Sequence, residues 1–332
     1  MSLSLPFPGA VAAAFDQALL AGAALAGATA PNPPVGCAAL AADGEILAVG
    51  AHHGAGLAHA EAAVLDVCRQ AGRLDAIAAL VVTLEPCNHQ GRTPPCVAAI
   101  LASPVRAVWI GARDPNPAVA GGGAQALGDA GLIIGFAADL PHPDASALAR
   151  RCARLIAPFS RRVRTGRPWV TVKQALRADG AMIPPAGSKT FTSEASLDLA
   201  HSLRRRADAI VTGSGTILAD NPWFTVRRVA DPRTTRRRLA ILDRRGRVPA
   251  SYLVQARERG LVPSVHPDWP GLLTELAADG ALEVLVEAGP TLSGAVLASG
   301  LWDEHVLIRA ADPSGGVDRV ETLLAQDLEI AA

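Results

Sequence analysis

Apolar residues recur along this chain in two alternating rhythms. Residues 15–27 carry small apolar side chains at helical spacing and end at Gly27, ahead of the turn-forming run Pro31-Asn32-Pro33-Pro34. Residues 35–40 and 46–49 are short apolar runs flanking Asp43-Gly44, a pair that favours the tight turn of a β-hairpin. Helical spacing returns over 61–70 and closes at Gly72. Residues 80–84 make an apolar run of strand length, after which helix (96–101, 125–130) alternates with strand (105–111, 132–136). A hairpin followed by such alternation predicts an α/β layer with helices on both faces.

Residues 146–156 read as one more helix, and 158–168, with Arg161, Arg162, Arg164 and Arg167, as a polar turn-forming stretch. The pattern then restarts, with strands at 169–174, 209–212, 239–242, 283–287 and 305–309 and helices at 194–206, 272–278 and 292–298. Residues 227–238 are the expected exposed loop. The two halves share a style and no repeat, so the chain of 332 residues is read as two α/β domains, 1–146 and 168–332, joined by a helix and loop over 147–167.

Composition narrows the class. Half the residues are apolar and 19% charged, which excludes a disordered or collagen-like chain. Thirty-one basic residues balance 31 acidic ones, against a protein that holds nucleic acid through a globally positive surface. The alanine-rich stretch 11–30 is broken by Asp16, Gln17, Gly22 and Gly27 and makes a poor membrane span. No Lys or Arg precedes Arg69, so a signal peptide lacks its positive region and a cytoplasmic location is expected. In that reducing compartment the five cysteines are metal ligands or core residues.

The chemistry is concentrated in His59-Ala60-Glu61, in Pro86-Cys87, and in Cys96 at the start of a helix. One imidazole and two thiolates suit tetrahedral Zn²⁺ and leave its fourth position to water. Such an ion with two thiolates is formally neutral and acidifies its water less than an all-histidine site, so a proton acceptor is needed nearby. Glu61, two residues after His59 at a helix start, is badly placed as a co-ligand and well placed for that role. Zinc deaminases divide the labour in this way, with a non-ligating Glu in His-x-Glu shuttling the proton. A structural zinc is the competing reading, with His89 the nearby candidate for a fourth ligand. Cys37, Cys68 and Cys152 fit apolar periodicity and are expected in the core. Deaminases of nucleic-acid bases carry Cys-x-x-Cys, whereas eight residues separate Cys87 from Cys96 here, among them Arg92, suited to a phosphate.

Longer text carries a resemblance. Pro31-Asn32-Pro33-x-Val35-Gly36, His52, His59-Ala60-Glu61, the run Thr83-Leu84-Glu85-Pro86-Cys87-Asn88-His89-Gln90-Gly91-Arg92-Thr93-Pro94-Pro95-Cys96, and Asp114-Pro115-Asn116-Pro117 closely resemble the bifunctional bacterial riboflavin-biosynthesis deaminase-reductase family. The resemblance implies a cytidine-deaminase-like three-layer α/β/α domain followed by a dihydrofolate-reductase-like α/β domain. It implies hydrolytic removal of an amino group from a diaminopyrimidinone ribosyl phosphate, then NADPH-dependent reduction of the ribosyl group to a ribityl chain. By position, His59, Cys87 and Cys96 match the zinc ligands and Glu61 the proton shuttle. Asn32, His52, Arg92 and Asn116 match the deaminase substrate residues, with His52 and Arg92 suited to phosphate.

In the second half the resemblance runs through Lys173, Asp179-Gly180, Thr192, His201-x-Leu203-Arg204, Gly213-x-Gly215-Thr216, Asp220-Asn221-Pro222, Thr225-Val226-Arg227, Asp243 and Glu287-Ala288-Gly289-Pro290. It implies reductase substrate contacts at Lys173, Arg204, Asp220, Arg227 and Glu287. It implies NADPH contacts at Ala175, Ser188, Thr192, Gly213, Gly215, Thr216, Asp243 and Glu287. A homo-oligomer is expected, with a small-molecule substrate and neither membrane nor nucleic-acid partner. The chain departs from the family pattern at Arg177, Thr190 and Leu197 and lacks the Ala-Pro-x-Leu-Leu-Gly text after Arg309. Two other readings therefore stand beside the bifunctional one. One keeps the deaminase and reduces the second domain to a substrate-holding or oligomerising module. The other is a nucleic-acid base deaminase gripping a strand with Arg204-Arg205-Arg206 and Arg236-Arg237-Arg238, opposed by the scarcity of aromatic residues (4%). A non-enzymatic zinc protein is disfavoured by Glu61.

Overall fold

The alternation of two side-chain faces along one short strand sets the architecture of the first half. In β1 (Gly36–Ala41), Ala38 and Leu40 join one hydrophobic core and Cys37 and Ala39 the other, all four fully buried. A strand buried on both faces needs a layer on each side. The computed structural model describes residues 7–89, 94–116, 122–185, 187–188, 190–311 and 317–325, and the chain divides into two units between Arg164 and Thr165.

In the first unit β1 runs antiparallel to β2 (Ile46–Ala51) and β3 (Ile77–Val82), while β4 (Ala107–Ile110) and β5 (Ile133–Phe136) continue parallel to β3, in the order β2-β1-β3-β4-β5. One face is covered by α1 (Pro8–Ala24) and α5 (Ala145–Leu155), through Val11, Phe15, Leu148 and Cys152. The other is covered by α2 (Ala60–Gln70), α3 (Cys96–Leu101) and α4 (Gly122–Asp129), through Val64, Cys68, Ile100 and Leu127. This is the expected three-layer α/β/α domain, and Cys37, Cys68 and Cys152 lie in its cores.

Two expectations are corrected in this unit. The helix placed at 15–27 starts at Pro8, because proline in the first turn has no hydrogen bond to lose. The stretch 158–168 is largely a helix, α6 (Ala157–Thr165), for the same reason: Pro158 sits in its first turn. The stretch 147–167, read as a linker helix and loop, opens with α5. Leu148, Ala149, Cys152 and Ile156 pack into the first unit's core.

The second unit is a seven-stranded sheet in the order β12-β11-β6-β10-β7-β8-β9. Its strands are β6 (Trp169–Leu176), β7 (Ala209–Gly213), β8 (Arg237–Leu242), β9 (Leu261–His266), β10 (Glu283–Glu287), β11 (Glu304–Arg309) and β12 (Arg319–Leu324). Only the β11–β12 pair is antiparallel. The helices are α7 (Glu194–Arg206), α8 (Ser214–Asp220), α9 (Ala250–Glu258), α10 (Trp269–Ala278) and α11 (Pro290–Ala298). Of these elements α8, α9, β9 and β12 are absent from the sequence reading. Both strands lie at sheet edges, where exposed Val262, Val265, Val320 and Leu323 and the tolerated Pro263 erase the pattern of a half-buried strand. The expected loop 227–238 ends early: Arg237, 5% exposed, begins β8 with its guanidinium on Asp231 and on the Arg205 and Ala207 carbonyls.

Gly36 is where α1 crosses β1: a Cβ there would lie 1.8 Å from the Ala18 carbonyl oxygen. Gly36→Ala is expected to push α1 off the sheet and destabilise the first unit by roughly 2–3 kcal/mol, the cost of overpacking a core. Urea unfolding followed by circular dichroism checks this, and an unchanged midpoint contradicts it.

Candidate active sites

The first site forms where α2 and α3 begin beside the loop that leaves β3. His59 is the residue before α2, Cys96 opens α3, and Cys87 lies on the loop between β3 and α3. His59 Nδ1 is 3.5 Å from Cys87 Sγ and 3.2 Å from Cys96 Sγ, and the three donor atoms lie within 4.8 Å of one another. A tetrahedral zinc with N and S ligands separates its donors by roughly 3.5 Å, so the cluster fits that ion. Among the described residues no fourth protein ligand joins it. His89 lines the neighbouring cavity but is outside the cluster.

Electrostatics agree with the donor set. Hydrogen bonding to Cys96, to the His59 ring and to the Cys96 amide (3.3 Å) pulls the Cys87 thiol down to about 4. Hydrogen bonding to Cys87, then burial and the nearby negative charges of Glu61 and Cys87, hold the Cys96 thiol far above its ordinary value. The pair thus keeps one proton when it is alone, and a dication is what allows both sulfurs to be thiolates. Glu61, in the first turn of α2, is 3% exposed and contacts the Cys96 sulfur. Burial, assisted by Cys87, raises its carboxyl above the usual carboxylate range, as suits a group that takes and returns a proton.

A cavity of about 390 Å³ opens beside these groups, lined among others by Asn32, His52, His59, Glu61, Cys87 and Asn116. The Asn32 amide donates to His52 Nε2 (3.0 Å), and His52 Nδ1–H donates to the Ala58 carbonyl (3.0 Å), which fixes the tautomer. Burial pushes the His52 ring below its ordinary value. A neutral ring with both nitrogens engaged is not a free cation for phosphate; it orients Asn32. Arg92 lies outside the described residues.

Sequence reasoning missed two features of this cavity. Glu85, 3% exposed, accepts from the amides of Asp114 (3.2 Å) and Ala124 (3.0 Å), tying the metal loop to the 112–116 loop and to α4. Phe159 of α6 is a carbocyclic aromatic side chain on the cavity wall. The only signal for Glu85 was its place two residues before Cys87.

In the second unit the carboxyl ends of the parallel strands collect the expected residues. β10 lies between β6 and β7, so the chain changes direction across the sheet at β10/β7, where open α/β sheets form a crevice. Glu287 ends β10 in register with Lys173 of β6. Lys173 Nζ lies 3.0 Å from Glu287 Oε1, and Arg204 of α7 grips both carboxylate oxygens at 2.5 and 3.2 Å. On the β7 side Gly213 and Gly215 start α8, a Cβ on Gly215 would meet nothing within 4 Å, and Thr216 Oγ1 accepts from the Gly289 amide at 2.9 Å. Asp243, just after β8, accepts from the Val248 amide at 2.8 Å. Asp220, Ser188 and Thr192 are not joined to the Lys173–Glu287–Arg204 group by any contact seen among the described residues. Ala175 lies on β6 in register with Ile308.

Comparison with known proteins assigns both units. Residues 12–112 match the cytidine and deoxycytidylate deaminase zinc-binding region, and residues 168–321 match the RibD C-terminal domain. The riboflavin biosynthesis protein RibD of Corynebacterium ammoniagenes is 38% identical, with the match covering 87% of this chain and 82% of that protein. The Escherichia coli (strain K12) protein of the same name is 36% identical, over 84% and 82%. Among solved structures, Acinetobacter baumannii RibD (form 1) superposes with a TM-score of 0.75 at 32% identity, covering 93% of this chain and 89% of that one.

Burial alone would raise Glu287, but Arg204 and Lys173 outweigh it and hold its carboxyl at about 2, below its ordinary 4.5. A depressed carboxylate stabilises the fold fully above its unfolded value and loses that contribution as pH falls toward its folded value. The second unit is therefore expected to lose about 3 kcal/mol between pH 4.5 and 2 on account of Glu287. Urea unfolding across that window checks this. Glu287→Gln should flatten the profile there, and an equally steep profile in the variant contradicts the assignment.

Proposed function

This chain belongs to the RibD family, and from that premise we propose how its own residues divide the family's two reactions. The protein is a bifunctional enzyme of riboflavin biosynthesis, with a zinc-dependent deaminase followed by an NADPH-dependent reductase. The proposed substrate is the diaminopyrimidinone ribosyl phosphate, and the proposed location is the cytoplasm. No helix among the described residues is long and apolar enough to cross a membrane.

In the deaminase, His59, Cys87 and Cys96 would hold zinc, which would supply the Lewis acid for the hydrolytic water. Glu61 accepts the water's proton on its carboxylate and gives it to the pyrimidine ring nitrogen, then carries the proton of the added hydroxyl to the amino group as the C–N bond breaks, the carbonyl forms and ammonia leaves. Asn32, set by His52, meets the pyrimidine edge, and Asn116 lines the same cavity. The observation that carries this reading is the placement of buried Glu61 against a three-donor cluster that borders an open cavity.

In the reductase, NADPH supplies the hydride. Gly213, Gly215 and Thr216 line its approach at the β7–α8 turn, where the open space at Gly215 admits a diphosphate. Lys173, Glu287 and Arg204 orient the ribosyl phosphate. The arginine triplets do not support the strand-gripping alternative: Arg206 is held by Glu283 and Glu304, Arg237 by Asp231 and Arg238 by Asp279.

Glu61→Gln is expected to keep stoichiometric zinc while deamination falls by at least a hundredfold, about the contribution of one general acid–base group. Cys87→Ser and Cys96→Ser are expected to lose the metal and lower the first unit's melting point. Metal analysis beside a spectrophotometric deaminase assay separates the two effects, and full activity in either cysteine variant sinks the ligand assignment. Given the deaminated intermediate, the unaltered protein should oxidise NADPH, followed by its absorbance. No oxidation at high enzyme concentration would leave only the deaminase.

A further inference from the structure

The first unit holds five Phe and Trp residues, and four of them have a place that owes nothing to the cavity. Phe15 lies in one core and Trp109 packs against it. Phe136 packs against the other core, with the Arg113 guanidinium 4.1 Å from its ring centroid, and Phe7 is exposed ahead of α1. Phe159 is the fifth. Among the described residues it belongs to neither core, and it lines the cavity that holds His59, Glu61 and Cys87.

The backbone directs that ring. α5 ends at Leu155, and Pro158 has no amide with which to prolong it, so α6 begins as a new helix. Buried Ile156 and Ala157 pin the junction, and the Ser160 amide donates to the Ile156 carbonyl at 2.9 Å, closing the turn that carries Phe159. α6 buries only Ala157. A large apolar side chain on an otherwise polar helix, two residues past that anchor, thus has no core to fill and forms part of the cavity wall.

Polar groups in a cavity can meet only the rim of a planar heterocycle, whose two faces need apolar or π contact. Asn32, held by His52, and Asn116 offer the rim contacts. Among the described lining residues Phe159 alone carries a benzene ring; Val35 and Leu84 offer aliphatic surface. We infer that Phe159 is the platform on which the substrate's pyrimidinone ring stacks in the deaminase cavity, a specificity-determining residue outside both regions matched to known families, 12–112 and 168–321. A stack reads planarity rather than substituents, so it selects a heteroaromatic amine over a saturated one and leaves the choice among bases to the rim contacts. The identity of the ring rests on the proposed deaminase reading.

The test separates binding from turnover. The free base of the proposed substrate, a triaminopyrimidinone, is titrated by calorimetry into the zinc-loaded full chain and into Phe159→Ala, Phe159→Leu and Phe159→Tyr. Saturable binding to the unaltered protein is expected, weaker by about tenfold in Phe159→Ala and Phe159→Leu, the order of one base–aromatic stack, and restored in Phe159→Tyr, which keeps a ring face. In steady state the same two variants should raise KM for the ribosyl phosphate about tenfold with kcat and zinc content little changed, as loss of uniform binding requires. Phe159→Leu keeps an apolar side chain of similar reach and guards against a variant that fails to fold. Equal binding by the unaltered protein and Phe159→Leu, no saturable binding by the unaltered protein, or a loss in Phe159→Tyr as large as in Phe159→Ala overturns the inference. A fall in kcat and zinc content in step with binding assigns Phe159 to packing and also overturns it. Ring-dependent binding of the base without release of ammonia from the ribosyl phosphate would instead overturn the deaminase substrate reading and leave the stacking platform standing.

Discussion

Two sulfurs and a ring nitrogen held within 4.8 Å of one another, in an interior that tolerates only one of the two thiolates unaided, are the constraint around which the first unit is arranged. The donors come from different segments, so their distances are only as fixed as the elements that carry them. The β1–β3 and β3–β4 pairings set the sheet from which the Cys87 loop departs. Glu85 then fastens that loop through two backbone amides, and Asn88 adds a bond to the Gly122 carbonyl at 3.2 Å. Close packing leaves no slack, since a Cβ on Gly123 would sit 1.9 Å from the Pro86 carbonyl oxygen. The metal ligands therefore depend on interactions that involve no metal.

The second unit centres on a carboxylate. Glu287 is buried at the end of a parallel strand, where an unpaired charge would cost several kcal/mol. Lys173 and Arg204 compensate it and leave a net positive group at the mouth of the crevice. The departures from the family text do not disturb this group. Arg177 reaches Asp179 at 3.0 Å, and Thr190 bonds to Thr192, so both are satisfied locally.

The chemistry of the first site was legible because it is written in residue type. Histidine, cysteine and glutamate at helix starts and on one loop announce a metal and a proton carrier wherever the sheet is drawn. Glu85 was not legible, because its partners are backbone amides, which every residue possesses. His52 looked like a phosphate ligand until the Ala58 carbonyl and Asn32 were seen to use both its nitrogens. Arginines were the least legible of all. Arg206 is neutralised by carboxylates 77 and 98 positions away, a distance over which no local pattern operates. Edge strands β9 and β12 failed for a related reason, since a strand with one neighbour need not alternate apolar with polar residues.

Zero net charge conceals two local imbalances of opposite sign. The first site sets Glu61 and two thiols against the single imidazole of the donor cluster, His59, an excess of negative charge that suits a cation. The second sets Lys173 and Arg204 on the single carboxylate of Glu287, an excess of positive charge. Electrostatic self-repulsion destabilises a folded state, so each cluster persists because packing and hydrogen bonds hold it against its own field.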